Sequence, residues 1–317
     1  MPLTTIDVLR PLLRCPVCGA PLRDDDVTCT NASCARARTP FLAVTGQPVL
    51  VDDTDSILDP AQVVPAAPRT VRGVRAVLAA LGPKNRVAPR IAQRIVDEIA
   101  PAAGRRPVVL VVGGGTVGSG LEALYDAAEL DVAAFDIYPS RNTQFVADAH
   151  RMPLATASVD ALVIQAVLEH VLDPWRVAAE IHRVLRPGGL VYADTPFLQQ
   201  VHEGPYDFTR FTESGHRWLF RNFELIESGV VAGVGEQLVW SLSQTARTVV
   251  PARAAAAAVR LVARPFARLV DRFGSPAHAI DGASSVYFYG RRADAPLAPR
   301  EMIAHYRGAQ RAIERRV

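Results

Sequence analysis

Val108–Gly120 reads VVLVVGGGTVGSG, and the fold turns on how this stretch is read. Its first five residues are aliphatic without alternation, which suits a central parallel strand buried on both faces. Gly113, Gly114 and Gly115 then let the backbone turn sharply and approach a ligand closely, where a Cβ would intrude. A helical pattern starts near Leu121. A second strand, Val132–Phe135, runs into Asp136, about twenty residues past the glycines. A doubly wound nucleotide-binding unit places an acid there to accept hydrogen bonds from ribose hydroxyls. A bare strand-to-helix turn would need the glycines but not the acid.

Two ligand classes satisfy that pattern, a dinucleotide and S-adenosylmethionine, and the next eighty or so residues choose between them. Val146-Ala147-Asp148-Ala149-His150 is followed by Pro153-Leu154 and by a strand, Ala161–Ile164. That strand enters Gln165-Ala166-Val167-Leu168-Glu169-His170-Val171. A helix around Trp175–Leu185 ends in Arg186-Pro187-Gly188-Gly189, and Leu190–Ala193 reads as the next strand. In this order the motifs, VLEHVLDP and EIHRVLRPGGL above all, resemble the class I S-adenosylmethionine-dependent methyltransferases, especially the group containing the quinone-biosynthetic enzymes. The resemblance covers roughly Asn85–Arg292. It implies an α/β, doubly wound, Rossmann-like sheet of seven strands, with S-adenosyl-L-methionine as cofactor. Gly113, Gly114 and Gly115 would leave room for the methionine portion, Asp136 with Ile137 would hold the ribose, Asp148 and Ala149 would flank the adenine, and Gln165 would complete the site. The chain departs from the family's usual pattern at Val111, often an acid, and at Val117, often glycine. Without the acid, water or backbone carbonyls must serve the cofactor's ammonium group.

The chain has 317 residues, room for one large domain and a small one. With 49% hydrophobic and 21% charged residues it has the composition of a soluble globular protein. A net charge of +3 is too mild to imply nucleic acid. Thr4–Arg14 contains Asp7, Arg10 and Pro11, unlike a signal peptide, and no uncharged apolar run is long enough to span a bilayer. The expected location is cytoplasmic.

All four cysteines fall within the first 34 residues, as Cys15-Pro-Val-Cys18 and Cys29-Thr-Asn-Ala-Ser-Cys34. A Cys-x2-Cys turn presents two thiolates to one tetrahedral ion, and the wider second pair can close the site. Four thiolates leave no open position, so the expected zinc is structural. Phe41–Val51 resembles the strand ending of small zinc-ribbon proteins that associate with methyltransferases, and a similar ribbon is fused to certain ribosomal-RNA guanine methyltransferases. The expected organisation is a zinc ribbon over 1–52, a linker and helix over 53–84, the methyltransferase domain over 85–292 and a basic helix over 293–317. Helical patterns lie at Val71–Leu81 and Val87–Ile99.

After the fifth strand, Thr195–Thr212 packs a histidine, two carboxylates, a tyrosine and an arginine into the nine residues His202–Arg210. Loops at the carboxyl ends of strands in an open α/β sheet line the ligand crevice, so this one should face the methyl group. HEGPYDFTRFT is similar to a run in bacterial methyltransferases linked with glycan biosynthesis. A helix at His216–Arg221 and a strand at Phe223–Ser228 follow, then a helical insertion, 233–278, before the last strand, Ser285–Tyr289. Arg260, Arg264, Arg268 and Arg272 recur every fourth residue, although Pro265 should break their register. They form either a solvated face or a patch for anionic lipid or a polyphosphate-linked acceptor, so the basic helices of 247–272 are a candidate for peripheral membrane contact.

Methyl transfer to an amine or hydroxyl requires alignment and loss of a proton, for which histidine is the usual base. His202 is the first candidate and His170 the second. Glu203 and Asp207 could orient His202, bind acceptor hydroxyls or pair with Arg210. No aspartate or histidine cluster is visible in the sequence that claims a catalytic metal. The expected function is methyl transfer to a small molecule or glycan, with oxygen as the favoured atom. An RNA base methyltransferase is the runner-up, though Asp24-Asp25-Asp26 make the ribbon a poor surface for phosphate. A non-catalytic cofactor-binding partner is the third reading.

Overall fold

The computed structural model describes residues 3–23, 27–65, 85–99, 105–250 and 253–310. The expected helix at 71–81 and the acidic run at 24–26 lie outside them. Nine strands form one sheet: β1 (Ala43–Val44), β2 (Gln47–Leu50), β3 (Val108–Val112), β4 (Asp131–Asp136), β5 (Phe145–Ala147), β6 (Val159–Gln165), β7 (Leu185–Pro196), β8 (Phe223–Ala232) and β9 (Ser285–Arg292). Their spatial order is β1-β2-β5-β4-β3-β6-β7-β9-β8. From β5 to β7 all pairings are parallel, whereas β9 runs antiparallel to both β7 and β8. The chain reverses direction across the sheet between β3 and β6, so the carboxyl ends of β3, β4 and β6 open a crevice there.

β3 is wholly buried because it is covered on both faces. Val109 and Val111 pack with Ile91, Ala92, Ile95, Val96 and Ile99 of α1 (Val87–Ile99) and with Leu124 and Tyr125 of α2 (Glu122–Asp126). Val108, Leu110 and Val112 face the opposite core, which takes Val177, Ile181 and Val184 from α3 (Pro174–Val184) and Leu219 from α4 (Glu213–Leu219). Asn85 accepts from the amides of Val87 and Ala88, and Thr212 from that of Gly215, so α1 and α4 have side-chain N-caps.

The N-terminal 52 residues read in the sequence as a module of their own, but in the structure they are built into the sheet. The β1–β2 hairpin turns at Thr45 and Gly46, both at positive φ (51° and 80°) as a two-residue primed turn requires. β2 then pairs in parallel with β5, Val49 opposite Val146 and Leu50 opposite Ala147. Leu9, Leu13, Cys15, Cys29 and Phe41 share the core of α3. Hydrophobic area, rather than sequence continuity, sets the boundary here: a ribbon this small cannot bury its own apolar side chains.

The insertion folds as α5 (Val234–Val249), α6 (Arg253–Phe273) and α7 (Pro276–Asp281). Pro265 does not break α6. Both Pro265 and Leu261, whose carbonyl the ring displaces, are exposed, so water can satisfy the freed oxygen. The four arginines therefore keep one register. Among the described residues of the tail there is a five-residue helix, α8 (Glu301–His305), which ends before the expected helix would; residues 311–317 lie outside them. No helix among the described residues is long and apolar enough to cross a membrane.

Candidate active site

The glycine turn at the end of β3 is shaped by close packing. The amides of Gly113 and Gly114 both donate to the carbonyl of Phe135 at 3.0 Å, tying the turn to β4. Gly113 has φ of 74°, and a Cβ on it would stand 2.3 Å from Cγ2 of Val167. A Cβ on Gly115 would meet the Tyr138 ring at 2.5 Å and Oδ2 of Asp136 at 2.7 Å. Asp136 accepts from the amides of Gly115 (2.8 Å) and Ile137 (2.7 Å), and burial raises its carboxyl above the ordinary range despite these bonds. Each carboxylate oxygen keeps a further lone pair. Ile137 beside it is half-exposed, an apolar face at the lip of the crevice. A Cβ-free turn, an acid with spare lone pairs and an apolar lip are compatible with S-adenosylmethionine.

Asp148 and Ala149 follow β5. Asp148 is already engaged: it accepts from the amide and ring Nδ1 of His150 (2.9 and 2.6 Å) and from the Ser56 hydroxyl. Burial opposes its ionisation, yet these bonds hold its carboxyl below the ordinary range. Gln165, at the end of β6, donates to Asp194 (2.9 Å) and to the carbonyl of Ser119 (3.4 Å).

The Val167 that closes over Gly113 begins a segment carrying Glu169 and His170. The structure folds the 195–212 loop back onto this segment: the amides of Phe208 and Thr209 donate to the carbonyl of Glu169 at 2.8 and 3.3 Å. His202 is thereby brought against His170, ring edge to face with centroids 5.1 Å apart. Trp240 of α5 leans on His202 at 6.3 Å. Glu169 lies beneath both imidazoles. Its Oε1 is 3.6 Å from Nε2 of His170 and 3.9 Å from Nε2 of His202, and neither carboxylate oxygen has a hydrogen-bond partner. Burial pushes its carboxyl up to about 8. Burial also lowers His170, against the bond its Nδ1 makes to the carbonyl of Tyr206 at 2.7 Å.

Asp207, a candidate catalytic residue in the sequence, takes a different part. Its side chain is 1% exposed, paired with both terminal nitrogens of Arg210, and accepts from the His202 amide at 2.9 Å. Burial opposes its ionisation, but the Arg210 guanidinium and the His202 amide hold its carboxyl down at about 2. It is a clamp that shapes the loop. An acid this firmly ionised is a weak proton acceptor.

The cysteine sulfurs converge as the spacing predicts, all within 4.8 Å of one another. Cys15 and Cys34 are 3.8 Å apart and Cys18 and Cys29 3.4 Å. Ligands about 2.3 Å from a tetrahedral zinc stand roughly 3.8 Å from each other, so the set fits that ion.

The family model described as "Methyltransferase domain" matches residues 110–193, the span from β3 into β7 that builds the crevice. Over that span the chain is similar to methyltransferase domains. An uncharacterised methyltransferase of Mycobacterium tuberculosis is 36% identical over 120 residues, which are 35% of this chain and 47% of that protein. The chain thus spans about half the length of the curated relatives it matches. Among solved structures, a 1,6-didemethyltoxoflavin-N1-methyltransferase of Burkholderia thailandensis aligns at 18% identity with a TM-score of 0.38, covering 66% of this chain and 79% of that one. Phosphoethanolamine N-methyltransferase 2 of Haemonchus contortus aligns at 15% identity and a TM-score of 0.38, covering 65% and 53%. These likenesses carry nothing about the acceptor.

Two residues of the methyltransferase domain escape a reading of the sequence. Asp194, fully buried at the end of β7, receives on Oδ2 hydrogen bonds from Asn85 (3.1 Å), Gln165 (2.9 Å) and Tyr192 (2.9 Å). Two of its three donors come from segments 109 and 29 positions away, so no local pattern marks the full set; an acid closing the apolar run LVYAD is the one available signal. Glu169 sits inside a recognised motif, and only folding shows that its carboxylate is buried without a donor.

Proposed function

We propose that the protein transfers a methyl group from S-adenosylmethionine to a hydroxyl of a small-molecule or glycan acceptor. The observation that carries this reading is a pair of packed imidazoles on the segment bordering the glycine turn: His170 lies three residues after Val167, which packs on Gly113, and the 195–212 loop lays His202 against it. Gly113–Gly115, Asp136 and Ile137 would hold the cofactor, which supplies an electrophilic methyl on a sulfonium centre. The 195–212 loop would orient the acceptor for in-line approach and keep water out. His202, whose Nε2 stands 3.9 Å from Glu169, would receive the hydroxyl proton, a contribution of about 10²–10⁴ in rate. Cys15, Cys18, Cys29 and Cys34 would hold a structural zinc.

Calorimetry tests the cofactor assignment. Asp136→Ala should weaken S-adenosylmethionine binding at least about tenfold, since a charged hydrogen-bond acceptor is worth about 1.5–3 kcal/mol. Affinity equal to wild type would remove Asp136 from the site. A panel of hydroxylated, aminated and RNA acceptors with labelled cofactor identifies the product by mass; label appearing on RNA alone would overturn the acceptor class.

The insertion supports a second element of the proposal, peripheral contact with an anionic membrane. α6 turns Leu261, Val262, Phe266, Leu269 and Phe273 outward, all more than half exposed, with Arg260, Arg268 and Arg272 also at the surface. An apolar stripe edged by arginine suits the headgroup boundary of a bilayer. The chain should float with anionic vesicles and not with zwitterionic ones, and Phe266→Glu should abolish flotation; equal recovery with both vesicles would contradict membrane contact.

A further inference from the structure

We propose that Glu169, His170 and His202 form a second metal site, for a divalent transition ion of the zinc or cobalt class, on the acceptor side of the crevice. The three ligand atoms lie within 4.8 Å of one another. Ligands about 2.0–2.1 Å from a tetrahedral ion stand roughly 3.3 Å apart, so the 3.6 and 3.9 Å separations lie within about 0.6 Å of that spacing.

The surroundings point the same way. A metal-binding imidazole donates its second ring N–H to a carbonyl or carboxylate, which leaves the other nitrogen's lone pair for the ion. Both histidines have that arrangement. Nδ1 of His170 is 2.7 Å from the carbonyl of Tyr206, and Nδ1 of His202 is 3.2 Å from the carbonyl of Gln200 and 3.4 Å from Asp207. Both Nε2 atoms are therefore turned toward Glu169. Its carboxylate is 1% exposed and receives no hydrogen bond on either oxygen, an arrangement costly without a cation. Among the described residues, the arginine facing the cluster, Arg210, is taken up by Asp207. Two imidazoles and one carboxylate leave a coordination position open, unlike the four-cysteine site, and this is the donor set of catalytic rather than structural ions. His170 and His202 are partly exposed, so that position faces the side from which an acceptor would enter. Resting on the methyltransferase reading, and taking over the role of base from His202, the ion would bind the acceptor's hydroxyl oxygen and acidify it, so that the proton leaves to water and the imidazoles serve as ligands.

The test uses the full chain, reduced and loaded with one equivalent of zinc, titrated calorimetrically with Zn²⁺ and optically with Co²⁺. A second equivalent should bind, and its cobalt spectrum should lack sulfur-to-metal charge transfer. Glu169→Gln, His170→Ala and His202→Ala should each weaken the second equivalent by at least about tenfold while leaving the first in place. S-adenosylmethionine titrated into the same variants shows that they are folded. Wild type taking up only one equivalent, thiolate bands on the second, or three variants binding it as wild type does would each overturn the site. Absence of cofactor binding in wild type would instead defeat the methyltransferase reading and leave the metal result standing.

Discussion

Glu213 shows how much one side chain can carry. It opens α4 at 2% side-chain exposure, and accepts from Ser228 (2.6 Å), His305 (3.0 Å) and Arg307 (3.0 Å), binding the C-terminal segment to β8. Burial opposes its ionisation, but these partners hold its carboxyl at about 2, against an ordinary value near 4.5. A depressed carboxyl stabilises the fold above its unfolded pKa, and that stability is lost as pH falls from about 4.5 towards 2. At about 1.4 kcal/mol per unit the linkage is worth on the order of 3 kcal/mol. Glu213→Gln should lower stability by about that much at pH 7 and flatten the acid limb; urea midpoints measured from pH 7 to pH 3 check both, and parallel curves for the two proteins would refute the linkage. In the sequence Glu213 reads only as a first-turn acid of a helix, since its partners lie 15, 92 and 94 positions away.

Among the elements, the α5–α6 pair is the one whose geometry is most exacting. Gly233 caps α5 without a side chain, and Asp271 of α6 supplies the missing acceptor, taking the amides of Gly235 (2.6 Å) and Glu236 (3.1 Å). The approach is close enough that a Cβ on Gly235 would stand 2.1 Å from the carbonyl oxygen of Ala267. Backbone cannot rotate away as a side chain can, so Gly235→Ala should force the helices apart at about 1–3 kcal/mol. Chemical denaturation followed by far-ultraviolet circular dichroism measures it, and an unchanged midpoint would mean that the pair is held elsewhere. This insertion also reaches the active site, since Trp240 touches His202 and Ser241 accepts from Gln200 at 3.2 Å. Helix periodicity marks α5 and α6 in the sequence. Which faces meet, and that the large apolar side chains of α6 are left outside, follow from the Gly235 contact.

At the scale of the whole molecule, the N-terminal segment is tied to the sheet by strand pairing and hydrogen bonds. Arg14 donates its amide to the carbonyl of Pro153, Arg151 donates to the carbonyl of Val17, and Ser56 reaches Asp148 beside the expected adenine position. If the four cysteines hold the proposed zinc, its removal should therefore lower the unfolding temperature of the entire chain, on the order of 10 °C, in one transition. Differential scanning calorimetry with and without chelator distinguishes this from an independent ribbon, which would give two transitions and leave the upper one unmoved.

The sequence by itself determined the sheet and its crevice, because strand, glycine turn, acid and next strand are neighbours along the chain and each signal is local. It also placed four sulfurs on one centre, since two short turns suffice for that. Tertiary structure alone decided what crosses the chain. β2 joins β5 across about a hundred residues, and Asp194 collects donors from positions 85 and 165. The 195–212 loop carries His202 onto His170 and Glu169. In each case the groups meet because burial favours the contact, and burial depends on a packing partner that no local window of sequence contains.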